Sequence, residues 1–365
     1  MARPTIQAPT GMHDILPQDQ PYFQHIFETA EKLAEFWGFE RIETPILEKS
    51  ELFERGIGTA TDIVQKQMFT FKTRGGDSLT LRPEGTAPVA RAFIEHGMHS
   101  LPQPLKLWYF GPFFRYERPQ SGRYREFWQL GFEVFGEKSS AIDAQIILIF
   151  FTLLQELKIG ELIVEINSIG DSNCRPYYKR VLANYLKGRY DALCLDCKRR
   201  VKENPLRVLD CKDERCQNIV RQAPQILDSL CKECKDHLKE VLEFLEELQI
   251  PYSLNPYLVR GLDYYTKTVF EIFSTKEGEK EIGALVGGGR YDNLIKILGG
   301  KDIPACGGAG GIERIIQVLK QKGIGVKRKK TPQIFFAQLG FEAKKKALKL
   351  MEEFRKANLR VVESL

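Results

Sequence analysis

Hydrophobic residues recur along this chain with two periods, one typical of helices and the other typical of strands. Over residues 22–37, apolar side chains recur at helical spacing and predict an amphipathic helix. Pro21 stands at its start and Gly38 at its end, where these residue types punctuate helices. A second amphipathic helix is predicted over 141–158. The apolar positions of the first helix are Phe23, Ile26, Phe27, Ala30, Leu33, Ala34 and Trp37.

Two long antiparallel strands are predicted within residues 105–135, joined by the loop PQSGRYR. One face of the second strand is apolar and belongs to the core. Its other face carries Gln129, Gly131 and Glu133, because alternate residues of a strand share a face. An amide and a carboxylate on either side of a glycine indicate the floor of a pocket. The alternative is a solvated sheet face, which more often carries Thr, Lys or Arg.

The remaining strands predict a meander with helices outside it. A strand pair is predicted over 39–53, and a strand, loop and helix over 78–97. The glycine-rich segment CGGAGG (306–311) is interpreted as a turn that leads into a helix with Ile312 and Ile315 facing inward. Because strands and helices do not alternate regularly, the fold class is α+β, with a largely antiparallel sheet.

Changes of composition divide the chain. Residues 1–325 form the main domain, and within it residues 172–250 are helical, charged, rich in cysteine and poor in strand signal, as expected of an insertion. A linker is predicted at 326–332. Residues 333–365 have the pattern of a single βαβ unit, which buries little apolar surface alone and is expected to be part of a larger domain.

Composition and charge exclude few functions. The 365 residues carry a net charge of +6, which suits a nucleic-acid partner and also suits basic enzymes without one. No window approaches the roughly 18 apolar residues of a membrane span. The first residues, MARPTIQAPTGMHDILPQ, lack the apolar core of a signal peptide, so a cytoplasmic protein is expected.

Four arginines lie beside glycines rather than on charged helix faces: Arg115, Arg123, Arg260 and Arg314. A guanidinium group donates two parallel hydrogen bonds to phosphate and stays charged. The alternative for each is an ordinary surface ion pair. The chain has neither a P-loop nor a dinucleotide fingerprint, so a bound nucleotide would lie on an antiparallel sheet and be held by arginines.

A second polar group suits a small cationic ligand. Glu84, Gln129, Glu133 and Tyr265 offer carboxylate, amide and phenol groups that could hold an ammonium group and bracket an imidazole ring. For Glu84 the alternative is a charge that stabilises a helix N-terminus.

Six of the eight cysteines fall within 41 residues of the predicted insertion, from Cys194 to Cys234. Disulfides are not expected in a cytoplasmic chain. Two Cys-x-x-Cys pairs have the spacing of a structural zinc site, with Cys194, Cys197, Cys231 and Cys234 as candidate ligands. Cys211 and Cys216 lie between the pairs, so four ligands cannot be chosen from the sequence, and reduced structural thiols are the alternative.

Several segments resemble class II aminoacyl-tRNA synthetases. FGPFFRYERPQSGRYREFWQLGFEVFG (110–136) looks like their motif 2, and GGAGGIERII (307–316) resembles their motif 3. TLRPEGTAPVARAF (80–93) and LVRGLDYYTKTVFE (258–271) are similar to elements of one subgroup, the histidyl-tRNA synthetases. The resemblance runs from about residue 8 to the end of the chain.

The resemblance implies a fold and a reaction. The fold is an antiparallel catalytic sheet flanked by helices, with a helical insertion and a C-terminal α/β anticodon-binding domain, here partial. The reaction joins histidine and ATP into histidyl-adenylate and pyrophosphate, then transfers histidine to its tRNA. The implied partners are L-histidine, ATP with Mg²⁺, tRNA(His) and a second copy of the chain. Any zinc would be structural.

The resemblance also implies roles for individual residues. Arg115 and Arg260 would be the catalytic residues, Arg115 on the α-phosphate and Arg260 against the histidine carboxylate and the α-phosphate. Arg123 and Arg314 would hold the triphosphate. The histidine site would be completed by Glu84, Thr86 and Gln129 around the α-ammonium group, Glu133 and Tyr265 at the imidazole, and Tyr291 closing the pocket.

Two alternatives stay open. One is a histidine-binding regulatory paralogue of ATP phosphoribosyltransferase, which would bind histidine without catalysis. Such paralogues commonly lack the element Arg-Gly-Leu-Asp-Tyr-Tyr that this chain carries at 260–265. The other is a synthetase for proline, threonine or serine, which would have no use for Glu133 together with Tyr265.

Overall fold

The protein is described by a computed structural model that covers residues 5–119, 122–275, 282–326 and 331–364. The helices are α1 (Gln20–Trp37), α2 (Ser50–Ile57), α3 (Thr86–Glu95), α4 (Ser140–Glu156), α5 (Arg175–Lys187), α6 (Leu195–Glu203), α7 (Glu214–Val220), α8 (Lys232–Glu247), α9 (Leu294–Ile297), α10 (Ile312–Gln321) and α11 (Phe341–Lys356). The strands are β1 (Glu40–Arg41), β2 (Leu47–Lys49), β3 (Phe69–Lys72), β4 (Ser78–Leu81), β5 (Leu105–Phe114), β6 (Glu126–Phe135), β7 (Leu162–Ser168), β8 (Tyr252–Leu254), β9 (Thr266–Ser274), β10 (Val286–Arg290), β11 (Ala305–Gly311), β12 (Ile334–Phe336) and β13 (Val361–Glu363).

Eight strands form the central sheet, in the order β1-β5-β6-β11-β10-β9-β7-β8. Neighbours from β5 to β7 are antiparallel, and the short strands β1 and β8 add to the two edges in parallel. A small antiparallel sheet, β2-β4-β3, stands beside it, and β12 and β13 form a parallel pair. The α+β class predicted from the meander is confirmed.

The first helix and the long hairpin follow their predicted patterns closely. Helix α1 begins with Pro21 in its first turn and ends at Gly38, which adopts the left-handed conformation at φ 69°. The strand pair predicted over 39–53 is wrong. β1 pairs with β5 of the central sheet, whereas β2 pairs with β4 of the small sheet, and the rest of that segment forms α2.

One face of the central sheet is covered by helices α1, α4 and α10. Leu130, Phe132 and Val134 of β6 are buried in this core, as the alternation along the strand predicts. Helix α4 is not amphipathic, contrary to prediction. It is buried on most sides because it packs against α1, α8 and the sheet together.

The glycine-rich segment 305–311 is a central strand, and its interpretation as a turn is wrong. β11 lies between β6 and β10, and Gly307 pairs with Glu133 across the sheet. A Cβ on Gly307 would collide with the Glu133 carboxylate and would lie 2.6 Å from the carbonyl oxygen of Phe132. Glycine is therefore needed here because the carboxylate occupies the space of a side chain.

The segment 172–250 is helical, as predicted, and contains α5 to α8. It does not pack as an isolated unit: Tyr178 and Cys197 share a hydrophobic core with Tyr265 and Tyr291 of the central domain. This packing places the cysteine-rich helices directly behind the loop that precedes β9. Among the described residues, no helix is long and apolar enough to cross a membrane.

Candidate active site

The site lies on the face of the central sheet that α1, α4 and α10 leave uncovered. Strands β6, β11, β10 and β9 form its floor, with Gln129 opposite Gly311, Gly287 opposite Ala309, and Glu271 opposite Gly287. Because the two middle strands carry glycine, few side chains project from this floor. Polar side chains project from the outer strands on either side. The site has two ends, a closed acidic one and an open basic one.

Glu133 forms the closed end and is completely buried. One carboxylate oxygen accepts a hydrogen bond of 2.7 Å from Thr86 Oγ1, and the other accepts one from the Tyr291 hydroxyl. Burial raises the pKa of Glu133 to about 8, against the lowering effect of these two hydrogen bonds. Burial thus favours the protonated form of this carboxyl group.

Glu84 lies beside this end and holds the start of α3. Its two oxygens accept hydrogen bonds of 2.8 Å from the backbone N–H groups of Thr86 and Ala87, and the Tyr264 hydroxyl donates to it at 3.3 Å. Burial raises the pKa of Glu84, partly opposed by the two backbone hydrogen bonds. The helix-terminus interpretation of Glu84 is thus correct, and the same carboxylate also reaches the tyrosines of the site.

Four tyrosines enclose the acidic end. The rings of Tyr264 and Tyr265 lie 4.7 Å apart between centroids, and Tyr291 meets both of them edge to face. The ring of Tyr109 occupies the space that side chains at Gly85 and Gly131 would fill. Tyr265 and Glu133 both belong to this end, although the hydrogen bonds of Glu133 run to Thr86 and Tyr291.

The open end is a cavity of about 170 Å³ with arginines around it. Arg115, Arg123, Arg260 and Arg314 all line it, as does Gln129. Arg115 is fixed by a hydrogen bond of 2.8 Å from Nε to the carbonyl of Pro83, and Arg314 Nη1 donates at 2.7 Å to the carbonyl of Ala284. These arginines come from three separate parts of the chain, the β5–β6 connection, the loop before β9 and helix α10, so the tertiary fold gathers them.

Arg260 connects the two ends. Its guanidinium forms an ion pair with Glu271 of β9 and lies directly over Gly287, where a Cβ would be 2.5 Å from Cζ. Burial lowers the pKa of Arg260, but the neighbouring Glu271 carboxylate raises it, and the net direction is upward. Arg260 therefore stays charged although it is enclosed.

Burial also acts on the groups around the arginines. It lowers the pKa of Arg314, and the nearby Arg123 lowers it further. The carboxyl group of Glu313 accepts hydrogen bonds from the backbone N–H of Trp128, and burial raises its pKa to about 7. The cavity thus concentrates positive charge, as a polyphosphate site requires.

An unpaired oxygen of Gln129 indicates that the cavity binds a ligand. Its side-chain oxygen Oε1 is buried, yet it has no hydrogen-bond partner within the described ranges of the chain. A buried polar atom without a partner is costly, and a bound donor such as an ammonium group would satisfy it. A larger cavity of about 500 Å³ lies beside α1 and contains none of the predicted site residues.

All ten predicted site residues lie in or beside this one site. Two further members were missed: Tyr109, and Glu271 as the partner of Arg260. Tyr109 faces Gly131 across the β5–β6 pair, and a register for the predicted hairpin could have found it. No local signal marks Glu271, since its pairing with Arg260 depends on how the loop before β9 folds back.

The cysteines form two clusters, and the ligand set predicted from the two Cys-x-x-Cys pairs is wrong. Cys194 and Cys197 gather with Cys211 and Cys216, while Cys231 and Cys234 gather with Cys174 and Asp171. In each cluster the ligand atoms all lie within 4.8 Å of one another. The pairs are separated because each opens a different helix, α6 in one case and α8 in the other.

Comparison with known proteins identifies the family. A family model described as histidyl-tRNA synthetase matches residues 11–315. The chain belongs to the histidyl-tRNA synthetase family. A histidine–tRNA ligase of Caldicellulosiruptor saccharolyticus is 47% identical over 350 residues, which cover 96% of this chain and 83% of that relative. One of Syntrophotalea carbinolica is also 47% identical over 350 residues, with 96% and 82% covered.

Solved structures of histidyl-tRNA synthetases have the same fold. The apo enzyme of S. aureus superposes with a TM-score of 0.81 at 34% identity, over 99% of this chain and 85% of that one. A Bacillus halodurans protein described as an ATP phosphoribosyltransferase regulatory subunit/histidyl-tRNA synthetase has a TM-score of 0.70 at 24% identity, over 99% of this chain and 93% of its own. The latter likeness shows the fold alone.

Proposed function

We propose that this protein is a histidine–tRNA ligase. It activates L-histidine with ATP to give histidyl-adenylate and pyrophosphate, and then transfers histidine to the 3′ end of tRNA(His). The observation that carries the proposal is the joining of a buried, hydrogen-bonded carboxyl group, Glu133, to a cavity lined by four arginines. The relatives named above are histidine–tRNA ligases over nearly the whole of this chain.

Histidine binds with its imidazole at the acidic end. Glu133 and Tyr265 bind the two ring nitrogens. Tyr291 closes the pocket, and the Tyr291 hydroxyl donates a hydrogen bond to Glu133. Glu84, Thr86 and Gln129 surround the α-ammonium group, which would satisfy the unpaired oxygen of Gln129. The tyrosines exclude water, so these few polar contacts discriminate strongly against other amino acids.

ATP binds at the basic end. Arg115 contacts the α-phosphate, and Arg123 and Arg314 hold the rest of the triphosphate. Arg260 lies between the ends and contacts both the histidine carboxylate and the α-phosphate. Its position over Gly287, with Glu271 behind it, supports this role because the guanidinium is already oriented before the substrates arrive.

The chemistry needs alignment rather than a proton acceptor. A histidine carboxylate oxygen attacks the α-phosphorus in line, the bond from phosphorus to the bridging oxygen breaks, and pyrophosphate leaves with its electrons. The attacking carboxylate carries no proton, so no general base is required. Arg115 and Arg260 neutralise charge that builds up on the phosphate oxygens, and the enclosed site holds the reactants together.

Two metals enter the proposal with different functions. The carboxylates of Glu117 and Glu271, which line the cavity, would hold Mg²⁺ as the hard oxygen ligands that this ion prefers, and the ion would shield the phosphates of ATP. Zn²⁺, in contrast, would be structural. Thiolates suit zinc, and none of the cysteines lines the arginine cavity.

The remaining partners are tRNA(His) and a second copy of the chain. The C-terminal unit of β12, α11 and β13 belongs to the domain that would contact the anticodon. A homodimer through the N-terminal region is supported by the exposed apolar side chains of Phe36, Ile46 and Leu47, which are 77%, 45% and 42% accessible. Light scattering of the purified protein would measure the dimer directly.

Histidine-dependent exchange of pyrophosphate into ATP tests the proposal. With Mg²⁺ present, exchange should require histidine and should not occur with proline, threonine or serine. Replacing Arg260 by Gln should lower exchange by about 10²- to 10³-fold, as expected for loss of a transition-state donor. The control Arg355→Gln, on the exposed face of α11, should leave it unchanged.

A folded wild-type protein without histidine-dependent exchange would overturn the ligase proposal. Binding of histidine without exchange, together with failure to bind ATP, would favour the regulatory alternative. That alternative has no use for Arg260 placed between the acidic end and the arginine cavity, so the site as described favours the ligase.

A further inference from the structure

Seven of the eight cysteines gather into two four-membered clusters, which the proposed reaction does not use. The first consists of Cys194, Cys197, Cys211 and Cys216, and we name it the four-sulfur cluster. The second consists of Asp171, Cys174, Cys231 and Cys234, and we name it the three-sulfur cluster. The eighth cysteine, Cys306, lies on β11 away from both.

Distances in the four-sulfur cluster fit a zinc tetrahedron. Zinc binds thiolate sulfur at about 2.3 Å, so neighbouring sulfurs of a tetrahedral site stand about 3.8 Å apart. The Sγ atoms of Cys194 and Cys211 are 3.8 Å apart, and Cys197 and Cys216 are completely buried beside them. The spacing is too long for a disulfide and leaves room for one ion among four sulfurs.

The three-sulfur cluster has the same dimension. The Sγ atoms of Cys174 and Cys234 are also 3.8 Å apart. Asp171 supplies an oxygen in place of the fourth sulfur, and its Oδ1 is already fixed by a hydrogen bond of 2.9 Å from the backbone N–H of Asn173. Three sulfurs and one carboxylate oxygen are within the range of ligands that zinc accepts.

Backbone N–H groups point at the sulfurs. Cys197 donates to Cys194 Sγ at 3.4 Å, and Cys194 donates to Cys216 Sγ at 3.3 Å. Cys194 and Cys231 are the N-cap residues of α6 and α8, so the positive end of a helix lies beside each cluster. Both features stabilise thiolate sulfur and orient it toward a metal.

The four-sulfur cluster connects to the loop 258–265, which carries Arg260 and Tyr265 and which we name the catalytic loop. Helix α6 runs from this cluster to Asn204, whose side chain donates to Asp263 of the loop at 3.0 Å. Arg207, four residues before Cys211, is almost buried and donates to the carbonyls of Arg260 and Gly261. Asn204 and Arg207 thus stand between two ligands of the cluster and hold the loop.

The three-sulfur cluster connects to the other end of the same loop. Arg175 directly follows Cys174 and donates at 2.6 Å to the carbonyl of Tyr265 and at 2.8 Å to that of Gly170. Each cluster therefore fixes an arginine whose hydrogen bonds run to backbone carbonyls of the catalytic loop.

We propose that the protein binds two zinc ions, one in each cluster, and that together they brace the catalytic loop through Arg207 and Arg175. The ions take no part in the chemical step, and the residues between them and the loop are positioning residues. The effect on catalysis rests on the proposed ligase function, whereas zinc binding and the order of the loop do not.

Metal content tests the sites. Protein prepared under reducing conditions with Zn²⁺ should retain two zinc ions per chain after desalting, measured by mass spectrometry of the metal. Cys194→Ser and Cys234→Ser should each retain one. The matched control Cys306→Ala, the remaining cysteine, should retain two. Wild-type protein with fewer than two ions, or variants that keep two, would overturn the assignment.

Cobalt gives an independent readout of the ligands. Co²⁺ in place of zinc should show the visible absorption of a tetrahedral ion and sulfur-to-metal charge transfer at both sites. Cys194→Ser should remove only the signal of the four-sulfur cluster. Spectra typical of octahedral cobalt would contradict the proposed ligands.

Hydrogen exchange tests the brace without using activity. Backbone amides of 258–265 should exchange faster in Cys194→Ser and in Cys234→Ser than in wild type, while those of α1 should not change. Arg207→Gln should produce the same increase while the protein keeps both zinc ions. Unchanged exchange in the catalytic loop of all three variants would overturn the brace, even in a protein without ligase activity.

Kinetics then separate positioning from loss of folded protein. Loosening the loop should raise the KM for histidine by about tenfold, the expected loss for a few weakened hydrogen bonds, and should raise the KM for ATP less. Arg115 and Arg314 bind ATP from outside the loop, which is the reason for this difference. A fall in kcat that only matches a fall in the fraction of folded enzyme, with both KM values unchanged, would indicate simple loss of folded enzyme and would contradict positioning.

Discussion

At the scale of single residues, Glu133 is a carboxyl group in surroundings that few carboxyl groups have. It is completely buried, its oxygens accept hydrogen bonds from Thr86 and Tyr291, and its carboxylate occupies the space that a side chain at Gly307 would fill. A carboxyl group held this firmly can recognise a ring nitrogen through direction as well as charge. Two predictions follow from its chemistry and its burial.

The first prediction concerns histidine recognition. Glu133→Gln keeps the shape of the side chain but removes its ability to carry negative charge. The KM for histidine should rise by about 10- to 100-fold, the expected loss of a hydrogen bond to a charged group. The KM for ATP should change little, because the arginines are untouched. Pyrophosphate exchange measures both, with the exposed Glu156→Gln as control, and an unchanged histidine KM would contradict the imidazole assignment.

The second prediction concerns pH. The pKa of Glu133 is about 8 in the folded protein and 4.5 ordinarily, so between these values the folded state keeps a proton that the unfolded state has lost. The stability contributed by this group is complete below pH 4.5 and is lost as pH rises through 8. Glu84 and Glu313, also raised, act in the same direction.

Melting temperatures from pH 5.5 to 8.5 check this. The wild-type protein without substrate should lose stability over this range, and Glu133→Gln should lose less because it has no proton to release. The control Glu156→Gln should follow the wild type. Curves of equal slope for wild type and Glu133→Gln would show that Glu133 titrates with an ordinary pKa.

At the scale of elements, the glycines of β10 and β11 make the site possible. Gly307 gives space to Glu133, and Gly287 gives space to the guanidinium of Arg260. Both glycines are in the middle of a sheet, where glycine normally weakens a strand because it has no side chain to pack. The central strands therefore lose side-chain packing at these glycines, and the space that remains forms a floor on which substrates can lie.

A third prediction belongs to this scale. Gly307→Ala should abolish histidine binding and destabilise the protein, because the new Cβ meets the Glu133 carboxylate on one side and lies 2.6 Å from the backbone oxygen of Phe132 on the other. A backbone atom in a central strand cannot move away easily. We expect a loss of about 1 to 3 kcal/mol in the free energy of unfolding, as for other overpacked cores.

Chemical denaturation and calorimetric titration with histidine measure the two effects. Gly160→Ala is the control, since a Cβ there meets no atom within 4 Å. Normal histidine binding by folded Gly307→Ala would mean that Glu133 can move aside. It would contradict the expectation that Glu133 is fixed in its position.

At the scale of the whole molecule, the candidate site and the C-terminal unit lie in different parts of the chain. The candidate site is complete within residues 5–326. Residues 331–364 form hydrogen bonds among themselves, such as those from Gln333 to Arg360 and from Ser364 to Phe336. This arrangement allows a unit that contacts tRNA to vary without disturbing the first chemical step.

The fourth prediction follows from this separation. A chain ended after residue 326 should keep histidine-dependent pyrophosphate exchange, because every predicted site residue remains. Transfer of histidine to tRNA(His) should fall, since the C-terminal unit is lost. The two assays on one preparation give the comparison, with the complete 365-residue chain as control. Loss of exchange by a folded, truncated protein would show that the C-terminal unit supports the site.

Prediction from the sequence succeeded where a pattern is local. The spacing of apolar residues defined α1, and alternation defined the β5–β6 hairpin with Gln129 and Glu133 on one face. It failed for β11, because four glycines and two alanines among its seven residues leave too few side chains to produce a periodic pattern. It also failed for β1 and β2, since neighbours in sequence joined different sheets.

The sequence by itself determined the fold class, the family resemblance and the candidate site residues, because these depend on local patterns and on residue chemistry. Only the tertiary structure decided which of them meet. The register of β6, β11 and β10 placed Gly307 under Glu133 and Gly287 under Arg260. The packing of α6 and α8 assigned the cysteines to two clusters instead of one. These contacts join residues distant in sequence, so they depend on backbone geometry and packing that no local pattern specifies.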